Sequence, residues 1–110
     1  MSKQEKIKSF DPNGIAFADS NIFGLPFTTD EASIILIPVP WDVTTSYRDG
    51  TSKGPQAILE SSAQVDLFDP FVKDAWKIGI AMENISEEII KKNFLLRKKA
   101  SAYINKTEKI

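Results

Sequence analysis

Ile34-Ile-Leu-Ile37 is an unbroken run of branched apolar side chains, followed by Pro38-Val-Pro40. A run without alternation suits a strand buried on both faces, as in the middle of a parallel sheet. The two prolines cannot donate to a ladder, so regular pairing has to stop near Val39. This strand therefore feeds a loop, Trp41 to Lys53, holding Asp42, three threonines, two serines, Tyr47, Arg48 and Asp49. Gly50 and Gly54 give the loop free backbone points. Gly54-Pro55 then opens a helix, because the first helical residue does not need the N–H that proline lacks. Ala57, Ile58, Ser61, Ser62, Val65 and Phe68 form its expected buried stripe, and Asp69-Pro70 its end.

The remainder is arranged around that unit. Residues 1–9 are charged and fit a frayed tail or a short helix. Asp11-Pro-Asn-Gly14 has turn chemistry. Residues 15–27 carry Ile15, Phe17, Ile22, Phe23, Leu25 and Phe27 without a period and are broken by Gly24 and Pro26. They read as an irregular segment anchored by aromatic rings, or as a small edge strand. Trp76, Ile78 and Ile80 alternate with Lys77 and Gly79, which predicts a second strand over 76–82. Asn84 or Ser86 can cap a last helix running from about 86 toward 106, with Glu87 and Glu88 in its first turn. Its expected apolar face is Ile89, Ile90, Phe94, Leu96, Ala100, Tyr103 and Ile104, and Lys91, Lys92, Arg97, Lys98 and Lys99 cover the rest.

Strand, loop, helix, strand, helix is βαβα order, which predicts an α/β fold with a parallel sheet. A strand buried on both faces needs more neighbours than these residues supply, and two strands are marginal alone. The expectation is an incomplete domain: an irregular segment over 1–32, then a βαβα portion over 33–110. Its sheet would be completed by more of the same fold or by another chain. A compact two-layer domain with extra strands near 15–27 is the competing arrangement.

Composition removes several function classes. Net charge is −1 among 110 residues, so there is no electrostatic footprint for nucleic acid. The longest apolar run, Ile34 to Val39, is far too short for a bilayer, and the polar N-terminus has no signal-peptide core. A cytoplasmic protein is expected. There is no cysteine and no histidine. The usual general base and the usual nitrogen and sulfur metal ligands are therefore missing. A serine triad lacks its base. Glu87-Glu88 reads as a helix start, and Asp66 with Asp69 as solvent-exposed residues or local caps at a helix end.

Ligands of open parallel sheets bind beyond the carboxyl ends of the strands, which is where loop 40–54 lies. Asp42, Thr45, Ser46, Tyr47, Arg48 and Asp49 can meet a polar ligand there, or can simply bond one another and the loop backbone. Gly50-Thr-Ser-Lys-Gly54 is a poor phosphate loop, because Gly54 is followed by Pro55-Gln56 rather than Lys-Ser/Thr. An anion module would require binding at Gly54-Pro55.

Val39-Pro-Trp-Asp42, Thr45-Ser-Tyr-Arg48, Gly50, Gly54-Pro-Gln-Ala-Ile58 and Val65-Asp-Leu-Phe-Asp69 together resemble the ureohydrolase family of arginases, agmatinases and formimidoylglutamases. The Thr-Ser-Tyr-Arg version is nearer to agmatinases. The likeness covers 33–69 well and 20–27 and 76–82 loosely. Pro38 replaces a common glycine, and Leu59-Glu60 stands where an arginine often follows the isoleucine. The resemblance implies an incomplete three-layer, arginase-like parallel-sheet fold. It also implies a whole enzyme that uses two Mn²⁺ ions to turn water into hydroxide and hydrolyse a guanidino or formimino C–N bond. Partners implied are a small guanidino or formimino substrate and further copies of the chain, with no nucleic acid and no membrane. The family's metal motifs, Gly-Gly-Asp-His, Asp-Ala-His-x-Asp and Ser-x-Asp-x-Asp-x-x-Asp-Pro, do not occur here, so no catalytic or metal residue carries over. Only the first loop does: Asp42, Ser46 and Arg48 are expected at a pocket rim or a subunit contact. A small non-catalytic interaction protein that completes its sheet by oligomerisation is the alternative.

Overall fold

The structure, a computed structural model, describes residues 1–16 and 20–108. Five regular elements occur in the order α1 (Lys3–Ser9), β1 (Ile34–Leu36), α2 (Gly54–Ser62), β2 (Ile80–Met82) and α3 (Glu87–Glu108), joined by short 3₁₀ turns. β1 and β2 pair in parallel, Ile34 with Ile80 and Leu36 with Met82. The βαβα order and the parallel sheet are as expected. The residues form two compact units, Met1–Ile37 with Ile58–Glu83, and Pro38–Ala57 with Asn84–Ile110.

The first unit is organised on Leu25, Phe27 and Trp76, against which Ile7, Phe10, Phe23, Leu67 and Ile80 pack. Phe10 lies 5.0 Å from the Trp76 ring and Phe27 6.3 Å. The residues 20–27 are thus an irregular anchor, with a 3₁₀ turn at Ile22–Gly24, and not an edge strand. Phe17 of the expected segment lies outside the described residues. The N-terminal tail is a short helix capped by the Ser2 hydroxyl, which accepts from the Glu5 N–H. Two lysines fasten it: Lys3 Nζ donates to the Ile78 carbonyl at 2.8 Å, and Lys6 pairs with Glu31 at 2.7 Å. Lys6, and then the Thr28 N–H, hold the Glu31 carboxyl below its ordinary range.

Three expectations for this unit fail. β1 is not buried on both faces: Ile34, Ile35 and Ile37 are 44, 45 and 75 % exposed. Ile34 and Ile35 are thus about half covered and Ile37 largely open, short of the burial a central strand has. β2 is shorter than 76–82. Asp74 enters a left-handed conformation, Ala75–Ile78 close a 3₁₀ turn, and extended pairing begins only after Gly79 at φ 87°. A side chain at Gly79 would be strained there and would meet Lys3 at 3.2 Å. α2 stops at Ser62 and not at Asp69, so Val65 and Phe68 fall outside it and are exposed, as are Ala57, Ile58 and Ser61. Ser62 is the one member of the expected stripe that is buried. Its hydroxyl donates to the Leu59 carbonyl and accepts the Phe23 N–H, both at 2.8 Å.

The outer edge of β2 is closed by a side chain. Asn21 Oδ1 accepts the Met82 N–H at 2.8 Å, and Asn21 Nδ2 donates to the Met82 carbonyl at 3.3 Å.

The second unit consists of the loop after β1, the start of α2, and α3. Ser86 caps α3, its hydroxyl accepting the Ile89 N–H. The inward stripe is Ile89, Asn93, Arg97, Ala100, Ser101 and Ile104, with Asn93 buried. That corrects the expected face: Ile90, Phe94, Leu96 and Tyr103 are exposed, and Arg97, assigned to the outer face, points into the unit. No helix among the described residues is long and apolar enough to cross a membrane.

Candidate functional site

The loop Trp41–Lys53 is built around one carboxylate. Asp42 is only 4 % exposed and has a partner at every polar position. Its Oδ2 accepts the N–H groups of Gly50 at 2.8 Å and Ser52 at 3.1 Å, and its Oδ1 accepts Asn93 Nδ2 at 3.0 Å. Asn93 Oδ1 in turn accepts the Asp42 N–H at 2.8 Å. Burial alone would raise the Asp42 pKa. The hydrogen bonds from Gly50, Ser52 and Asn93 outweigh it and lower the pKa to about 2. The ionised side chain thus joins residues 50–52 to residue 42 and both to α3.

Arg97 fastens the same base from a second direction. Its Nη1 lies 2.5 Å from the Thr45 carbonyl and 2.8 Å from Thr45 Oγ1, with the Val43 and Asp42 carbonyls at 3.2 and 3.3 Å. The Thr45 N–H and hydroxyl both return to the Asp42 carbonyl. The result is a closed loop whose two stems meet at Asp42.

Of the three residues expected at a rim, Asp42 lies inside the loop base, while Ser46 and Arg48 lie on the exposed tip with Tyr47, which is 94 % exposed. The side chains of Ser46 and Arg48 have no hydrogen-bond or ion-pair partner among the described residues. Asp42 therefore holds the loop base together, and the tip is exposed. The sequence reading overlooked Asn93 and misplaced Arg97. A signal existed: both lie on the Ile89–Ile104 side of α3, four residues apart, where polar groups on a packed face need partners.

An anion site at the start of α2 has no vacant cradle. The Gly50 and Ser52 N–H groups bind Asp42, the Lys53 N–H binds the Gly50 carbonyl, and the Gly54 N–H binds the Thr51 carbonyl. The chain's own carboxylate occupies the position an anion would take. Among the described residues no group of three or more Asp, Glu, His or Cys could hold a metal ion. With no histidine in the sequence, these residues do not fit a manganese pair, and no metal-dependent step is assigned to them.

A 39-residue stretch is 44 % identical to the N(1)-aminopropylagmatine ureohydrolase of Synechocystis sp., covering 36 % of this chain and 13 % of that protein. A 56-residue stretch is 38 % identical to the N(1)-aminopropylagmatine ureohydrolase of Thermus thermophilus, covering 51 % of this chain and 17 % of that protein. The matched stretches thus span less than a fifth of these relatives. No solved structure matches the chain. The family profile described as "Arginase family" matches residues 32–106, from the start of β1 through most of α3. With that match over more than half its length, and a parallel two-stranded sheet with helices that is part of an α/β fold, the chain belongs to the arginase family.

Proposed function

We propose that this chain is the N-terminal part of an agmatinase-like ureohydrolase. Residues 33–110 are the first βαβα portion of its domain, and 1–32 are the segment laid before it. The whole enzyme hydrolyses a small guanidino or formimino substrate, of which agmatine, giving putrescine and urea, is the leading example. Its two Mn²⁺ ions would be held by residues other than these. It works in the cytoplasm as a homo-oligomer, and the tip Ser46–Arg48 stands at the pocket rim or at a contact between subunits. The observation that carries the proposal is the family match over 32–106, which contains the whole Asp42-anchored loop.

The coding frame beyond Ile110 tests it. Continuation into Gly-Gly-Asp-His, Asp-Ala-His-x-Asp and Ser-x-Asp-x-Asp-x-x-Asp-Pro motifs is the expected result, and the purified 110-residue chain should release no urea from agmatine. A stop codon with no such motifs encoded nearby refutes it. That outcome would favour the second reading, a small interaction protein, for which the exposure of Ile34, Ile35 and Ile37 is the specific support. A stable, cooperatively folding oligomer in sedimentation would then be expected.

A further inference from the structure

We infer that Asn93 and Arg97 of α3 are positioning residues for the loop, holding its base so that the tip Ser46–Arg48 is presented in one conformation. This rests on the proposal that the tip is a rim or contact surface, and adds the device that sets it. Three observations converge. Asn93 uses both ends of its amide on Asp42, one on the backbone N–H and one on the carboxylate. Arg97 reaches the following stem, residues 42–45, and among the described residues makes no hydrogen bond to the tip. Between the two stems, Ser46–Asp49 are exposed. Four residues of α3 separate the two anchors, so one helix face fixes the loop at adjacent turns.

The Arg97 geometry is unusual for a guanidinium. All four of its acceptors gather about Nη1, while Nε is buried without a partner. The planar fork is not used here; one nitrogen serves several acceptors. Nη1 carries only two hydrogens, whereas a lysine ammonium carries three on one atom. Lysine at this position should therefore keep the anchor, in contrast to bidentate arginine sites, and it removes the orphaned Nε.

Amide hydrogen exchange decides the matter, measured on the whole enzyme where the coding frame continues and on the 110-residue chain where it does not. In Arg97→Met and Asn93→Leu, the hydrogen-bonded loop amides of Thr45, Gly50 and Ser52 should exchange about 10–100-fold faster, as expected for loosening the base that holds their acceptors. Amides of the β1–β2 pair, Ile34 and Glu83 among them, should not change. Arg97→Lys should stay within about 3-fold of the parent at every loop amide. Unchanged loop exchange in Arg97→Met and Asn93→Leu overturns the inference, as does acceleration spread evenly over the chain or a lysine variant no better than methionine. None of these readings uses activity, so the inference can fail while the ureohydrolase assignment stands, and the reverse.

Discussion

Replacing Asp42 by asparagine is the sharpest test of the loop architecture, because it changes charge and hydrogen-bonding polarity with almost no change of shape. In one amide orientation the new NH₂ faces the N–H groups of Gly50 and Ser52, leaving two donors unsatisfied. In the other it faces Asn93 Nδ2, leaving one. Each stranded donor costs about 1–3 kcal/mol, so a loss of about 2–4 kcal/mol is expected. That is a large part of the ~5–15 kcal/mol that holds a small domain together. Urea unfolding followed by far-ultraviolet ellipticity reports it, since α3, with 22 residues, is the longest helix. The pH dependence gives an independent check. The folded pKa of Asp42 lies below its ordinary value of 3.8, at about 2. Its contribution is therefore present above pH ~4 and is lost as the pH falls through ~2. A shift of that size is worth roughly 2 kcal/mol. Asp42→Asn should lack that component of the acid loss. A variant within ~0.5 kcal/mol of the parent near neutral pH, or one with the parent's full acid dependence, would refute the reasoning.

Two further substitutions probe the first unit. Ser62→Ala leaves the N–H of Phe23, a residue at φ 60°, without its acceptor, and should cost about 1–3 kcal/mol in thermal or urea unfolding. Trp76→Phe should cost less than ~1.5 kcal/mol, because the indole N–H has no partner and the ring contacts to Phe10 and Phe27 survive. Trp76→Ala should cost about 3–5 kcal/mol, and equal losses for the two would show that the indole N–H matters after all.

Order and direction were legible because their signals are local. The Ile34–Ile37 run, the Gly54-Pro55 helix start and the Ser86 cap with Glu87 and Glu88 each depend on a few adjacent residues, and each stands where expected. Lengths were not, because distant partners set them. α2 ends at Ser62, whose hydroxyl turns back on Leu59 and takes the amide of Phe23, 39 residues away. The Trp76–Ile78 alternation looked like strand, but Trp76 is buried between aromatic rings by a 3₁₀ turn. The site followed the same division. A polar loop after β1 was evident, and the sense in which Asp42 faces was not, since its partners Asn93 and Arg97 are more than fifty residues downstream. Apolar periodicity in α3 selected Phe94 and Leu96, while the packed face is carried by a buried amide and a guanidinium.

The sheet has a sealed seam and an open one. In a parallel ladder alternate residues aim their backbone groups at opposite neighbours. With Ile34 and Leu36 bonded toward β2, the N–H and carbonyl of Ile35 face away from it. On the far side of β2 the equivalent groups of Met82 are already held by the Asn21 side chain, which stands in for a strand. Asn21 thus blocks the β2 edge at Met82, while beside β1 Pro38 cuts the runway short, so a strand added there has to align with Ile35 within a span of a few residues.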